Sequence, residues 1–211
     1  MKFYKIIFFT IMIIGAAPAF ARPISYPGGW MVMTENDGIR NAAQLDYTVT
    51  PLIAFGARTE YGRDENYQIH TLTMNNRLWR GNYPDSQANI FLMSGLGYAF
   101  ENGGSETSPA AFTGIEADWE DRRFFVNYQN KVTYAGDIDR EFSQSARIGV
   151  APYIGEAGDL HTWLMIQTDH RPEAGDKFEV TPLVRLFKGT DLLEAGMSNQ
   201  GRVLFNYTHQ F

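Results

Sequence analysis

From residue 30 to its end the chain alternates hydrophobic and polar side chains with a period of two. That period puts the two sets on opposite faces of extended strands. The cleanest stretch is 123–134, where Phe124, Val126, Tyr128, Val132 and Tyr134 face one way and Arg123, Asn127, Gln129, Lys131 and Thr133 the other. Similar alternation predicts strands over 30–35, 43–50, 53–61, 67–80, 89–100, 111–120, 142–150, 160–169, 177–186, 193–197 and 202–211. No helical stripe competes with it. Turn chemistry separates the segments, as at Asn36-Asp37-Gly38, Pro51, Asp121-Arg122, Gly189-Thr190 and Asn199-Gln200-Gly201. The longest connection is expected at 101–109, rich in Gly and Ser. The segment 67–80 is irregular, with Tyr67 and Ile69 on one parity and Leu72, Met74 and Leu78 on the other. A bulge near His70 or Thr71 would restore the phase.

Twelve such segments make an even count, which returns the last strand to the side where the first began. The fold class read from this is all-β: a single antiparallel transmembrane β-barrel of about 12 strands with short turns. Ten strands result if two weak segments join the loops. A soluble sandwich or lipocalin-like barrel would alternate in the same way with its apolar face inside. Parity alone does not choose between them, but volume does. One face collects large aromatic and aliphatic groups up to Phe211, and the other collects small and charged ones, as lipid outside and a polar lumen inside require.

Composition agrees. Mean hydropathy is −0.28, too polar for helical spans yet ordinary where only alternate residues meet lipid. There are no cysteines, and a ladder that closes on itself needs no disulfides. Lys2 and Lys5, the apolar run 6–14 and Ala19-Phe20-Ala21 have the order of a cleavable signal peptide over 1–21, leaving 22–211 as the barrel. Export to the cell outer membrane follows, with the lipid bilayer and lipopolysaccharide as surroundings. The formal net charge of −6 argues against nucleic acid as a partner.

The inward face is expected to carry Arg58, Glu60, Glu116, Asp118, Arg123, Lys131, Arg147, Asp169, Glu179, Arg185, Glu194 and Arg202, six cations and six anions. Such groups must pair or line water. A narrow passive channel for small polar solutes or ions is the function this lining predicts. The rival is an outer-membrane lipid-modifying hydrolase built from Ser143, Ser145, His161 and Asp169, although no nucleophile motif surrounds either serine. A structural or metal-handling barrel without a pore is the third reading. Met31, Met33, His161, Met165 and His170 are ligand types, but none stands at ligand spacing. No catalytic residue, metal set or cofactor is read from the chain.

The terminal strand sets Val203, Phe205, Tyr207 and His209 against Arg202, Asn206, Thr208 and Gln210, and the chain ends on Phe211. In this it resembles bacterial outer-membrane barrel proteins. That resemblance implies that Phe205, Tyr207 and Phe211 form a signal for the outer-membrane assembly machinery, with His209 departing from the hydrophobe expected there. In length and strand count the chain is similar to small monomeric porins for acidic oligosaccharides, but its balanced charges depart from their basic lumen track. The stretches Ser25-Tyr26-Pro27-Gly28-Gly29-Trp30, Ala117-Asp118-Trp119-Glu120-Asp121-Arg122-Arg123, Ser143-Gln144-Ser145-Ala146-Arg147 and Gly158-Asp159-Leu160-His161-Thr162-Trp163 resemble an uncharacterised group of small proteobacterial outer-membrane proteins. That likeness implies a coherent family and names no substrate.

Overall fold

The two ends of the alternating pattern close the molecule. In the computed structural model, which describes residues 23–156, 158–174 and 177–211, the first strand β1 (Trp30–Asn36) pairs antiparallel with the last, β12 (Val203–Gln210). Met31 stands opposite Gln210 and Thr34 opposite Tyr207. The amide of Phe211 donates to the Trp30 carbonyl at 2.9 Å, and the Trp30 amide donates back at 3.3 Å. The leader expected over 1–21 lies outside the described residues.

Between these ends run β2 (Arg40–Thr50), β3 (Ile53–Gly62), β4 (Tyr67–Asn82), β5 (Ser86–Glu101), β6 (Thr107–Asp121), β7 (Phe124–Ala135), β8 (Asp139–Val150), β9 (His161–Arg171), β10 (Lys177–Lys188) and β11 (Asp191–Met197). Each pairs with its sequence neighbours, giving a closed antiparallel barrel of twelve strands. Closure leaves no strand running along an open edge, so the backbone ladders of the middle of the wall are satisfied within it. The chain enters and leaves at one end, the near end, where connections 51–52, 83–85 and 122–123 are short. At the far end lie 37–39, 63–66, 102–106, 136–138 and 198–202, with a 3-10 turn at Pro172–Ala174.

The outer wall is apolar. Leu72 and Leu96 are 75% and 72% exposed, and Phe55, Val126, Ile148, Leu164, Phe178 and Val203 are exposed beside them. Water around a continuous belt of this size would be costly, so the wall is built for hydrocarbon. Aromatic groups gather toward its two rims. Trp30, Trp79, Tyr83, Trp119, Phe124 and Phe211 are exposed near one end, and Tyr98 and Tyr134 near the other. Trp30 packs on Tyr47 with ring centroids 4.9 Å apart. This is the girdle arrangement of membrane barrels.

Two expectations are corrected. No phase change occurs at His70 or Thr71. Tyr67 and Ile69 point inward, 2% and 6% exposed, and the register instead shifts between Arg77 and Trp79. The interior there is filled with apolar side chains: Tyr67 and Ile69 cluster with Ala99, Ala110, Ala135 and Ile138, so their parity needed no repair. The displaced bulge sets both Leu78 and Trp79 on the exposed side. The longest connection is 151–160, not 101–109, because Ser108 and Pro109 already pair with Ala99 and Tyr98. The missing N–H of Pro109 breaks no ladder, since β7 joins β6 only from Ala111.

Candidate functional site: the barrel lumen

Alternation delivers one side chain in two to the interior, and twelve strands leave an interior only as wide as those side chains allow. Inward positions of β2 and β3 are Ala42, Gln44, Asp46 and Thr48, then Ala54, Gly56, Arg58 and Glu60. At Gly56 a side chain is excluded, since an added Cβ would stand 2.0 Å from Asp46 Oδ1 and 2.2 Å from the Leu45 carbonyl oxygen. The absence of one lets Thr73 of β4 donate to Asp46 at 3.2 Å across the gap.

Two buried carboxylates organise the charge. Glu60 receives Lys131 at 3.0 Å, Arg58 at 3.2 Å and Arg40 at 3.3 Å. Glu194 receives Arg185 at 2.6 Å and Arg147 at 2.7 Å, and Asn206 donates to its other oxygen at 2.9 Å. Arg147 also donates twice to Gln167. The Arg185 guanidinium lies 4.5 Å over the Phe125 ring. Burying an ion costs several kcal/mol even after relaxation, and only this density of partners makes it tolerable. Around these hubs, Arg40 reaches Glu141 at 2.7 Å, Arg58 reaches Glu35 at 2.7 Å, and Arg171 reaches Asp37 at 2.5 Å.

The predicted lumen residues therefore fall into groups. Arg58, Glu60, Lys131, Arg147, Arg185 and Glu194 form the two hubs. Glu116 and Asp169 face the same space, holding hydrogen bonds from Asn127 at 3.0 Å and Gln167 at 2.9 Å. Glu179 and Arg202 pair with each other at 2.8 Å by the far mouth. Asp118 is buried lower down, accepting from Asn89 at 2.8 Å, and Asn89 in turn accepts from Arg80 at 2.6 Å. Arg123 is placed elsewhere, exposed in the near-end turn between Asp121 and Phe124.

Sequence reasoning missed Glu35, Asp37, Arg40, Asp139, Glu141 and Arg171, because all sit at strand ends beside turns. Parity carried a usable signal for some of them. Arg40 is in phase with Gln44 and Asp46, and Glu35 is in phase with Met31 and Met33.

A cavity of about 270 Å³ lies between the hubs. It has room for several waters. Its charged lining is Arg40, Arg58, Lys131, Arg147, Arg171 and Arg185 against Glu35, Asp37, Glu60, Glu116, Asp169 and Glu194, an even balance. A second space of about 400 Å³ opens at the far end and shares Arg40, Asp169 and Arg171 with the first. Polar surface is thus continuous from the far mouth to mid-depth. Toward the near end the interior turns apolar on the β7–β10 side, where Phe125, Ala151, Trp163, Met165 and Leu183 pack together. Opposite, Ile24 of the segment before β1 packs on Ala54 and Phe91, and Pro23 lines the cavity.

The hydrolase residues are not assembled. Ser145 stands opposite Asp169, but His161 lies at the other end of β9, against Phe187 and near Gly155. His170 is stacked on Phe178 with centroids 4.4 Å apart. Among the described residues, no group of three or more His, Asp or Glu side chains is arranged to hold a metal ion.

No protein-family model matches the chain. No curated protein matches it either. Among solved structures it is similar to the KdgM porin in complex with disordered oligogalacturonate, at a TM-score of 0.51 and 7% identity, covering 87% of this chain and 98% of that one. It is also similar to OccAB4 of Acinetobacter baumannii, at a TM-score of 0.39 and 15% identity, covering 84% of this chain and 57% of that one. The likeness to the first is one of fold: a porin-type barrel.

Proposed function

We propose that this protein is an outer-membrane β-barrel acting as a narrow passive channel for small polar solutes or ions. The observation that carries the reading is the charge-balanced cavity, joined by polar surface to the far mouth within an apolar outer wall. A lumen kept polar by a dozen charged side chains, most of them buried, is poorly explained by stability alone, since well-packed apolar side chains would serve as well or better. Balanced charge gives the path little net preference for sign, unlike a basic track that fits oligoanions. The cavity admits water-sized and ion-sized species, and its apolar near end makes conductance small and intermittent, as dewetting constrictions do.

Export through a leader over 1–21 fits this placement. Phe205 and Phe211 are exposed on the outer wall and Tyr207 shares their face, so these residues are available to the assembly machinery as the terminal signal. Truncation of Phe211 is expected to lower the yield of assembled barrel in the outer membrane without changing its migration once folded.

Single-channel recording of the purified protein in a planar bilayer tests the function. Discrete small current steps support a channel. A bilayer that stays sealed at every voltage removes the proposal.

A further inference from the structure

The lumen is closed asymmetrically. On the β7–β10 side the wall's own side chains, Phe125, Trp163, Met165 and Leu183, fill the near half. On the β2–β4 side the inward residues are short or polar: Thr48, Ala54, Gly56, Thr73 and Asn75. Those residues leave a lane beside the wall, and it is filled by Pro23, Ile24 and Ser25, which precede the barrel. Ile24 is 4% exposed against Ala54 and Phe91, Pro23 forms part of the cavity lining, and the Ser25 amide donates to Thr48 Oγ1 at 3.1 Å.

We infer that Pro23–Ser25 is a displaceable stopper in the conduction path, and that the path runs down the β2–β5 side of the lumen. The inference rests on the channel reading and specifies where that channel is shut. Three observations support it. First, beside the apolar seat that Ala54 and Phe91 give Ile24, the same side of the lumen is polar, with Asp46, Thr48, Thr73 and Asn75 facing in. The Arg80–Asn89–Asp118 hydrogen-bond chain continues toward the near end. A wall that only had to hold an apolar plug would be apolar. Second, the fit is incomplete, for Ser25 Oγ and Asn75 Nδ2 are both buried without a hydrogen-bond partner among the described residues. Each such group costs free energy that hydration would return, so the docked state is held less firmly than a core segment. Third, the anchor of this segment is separate from the stopper. Gly28 donates to the Thr48 carbonyl at 2.8 Å and Thr48 donates to the Gly29 carbonyl at 3.0 Å, so residues 23–25 can leave while β1 stays in the ladder.

The chain contains no cysteine, so a single introduced thiol reports cleanly. Ala54 is fully buried beneath Ile24. In an Ala54→Cys protein, a small charged methanethiosulfonate reagent is expected to label slowly. Adding Ile24→Gly removes the apolar contact that seats the stopper and is expected to raise the labelling rate at least about tenfold. Both variants are first confirmed as folded barrels by their heat-modifiable gel migration. In planar bilayers Ile24→Gly is expected to raise the open fraction, whereas an Ile24→Cys/Ala54→Cys protein is expected to stay closed when oxidised and to recover on reduction. An unchanged labelling rate in folded Ile24→Gly protein overturns the stopper. Faster labelling in a barrel that never conducts keeps the stopper and overturns the channel.

Discussion

Replacing Glu60 with glutamine tests whether the lumen charges act as one balanced network. The side chain is 6% exposed and takes three cations within 3.3 Å. In Glu60→Gln, Arg40 keeps Glu141 at 2.7 Å and Arg58 keeps Glu35 at 2.7 Å, but Lys131 loses the one ion pair it makes among the described residues. The cost is therefore that of a single stranded charge, about 3 kcal/mol, the lower end for removing one partner of a buried pair. Equilibrium urea unfolding of the barrel from lipid vesicles measures it. Adding Lys131→Met to the same protein removes the stranded charge and is expected to restore more than about half of the loss, because the two sites are directly coupled. The cavity lining of Glu60→Gln also gains one unit of positive charge, so the reversal potential in a KCl gradient is expected to shift toward chloride. A loss below about 1 kcal/mol, or a double variant no more stable than Glu60→Gln, refutes the network. An unchanged reversal potential refutes the claim that this cavity lies on the ion path.

Three further expectations test other links. Leu72→Arg places a charge on the outer wall at its most exposed leucine and is expected to destabilise the barrel in lipid by about 2–4 kcal/mol near the bilayer midplane. In vesicle unfolding, a neutral result would mean that this face meets water. Trp163→Ala empties a site that is 3% exposed and packed edge-on to Phe125, centroids 6.2 Å apart. Thermal or urea unfolding is expected to register a loss of about 3–5 kcal/mol, and the widened near end should raise single-channel current. Gly56→Val drives a branched side chain into Asp46 and the Leu45 backbone, with an expected cost of about 1–3 kcal/mol in the same unfolding assay, and stability equal to wild type would show that the strands can spread there.

The outer half of the molecule was legible because lipid imposes one rule on it. Most outward positions must be apolar, so Phe124, Val126 and Tyr128, or Val203 and Phe205, announce both strand and face. Closure was legible too, since an alternating last segment must find a partner and β1 was the one left open. The interior obeys no such rule. In a barrel this narrow, apolar clusters stand beside polar and charged groups, so an apolar residue has two possible homes. Tyr67, Ile69 and Phe91 point inward as readily as Leu72 points out, and parity misplaced the bulge for that reason. The contacts across the lumen were equally hidden. Arg40 meets Glu141, Lys131 meets Glu60 and Arg171 meets Asp37 across 101, 71 and 134 residues of chain, between segments that share no ladder. Such pairs bridge the barrel from wall to wall. They neutralise the cavity lining and also fix how far apart the walls stand, so on the channel reading the same ion pairs that remove a preference for charge would set the gap open to a solute.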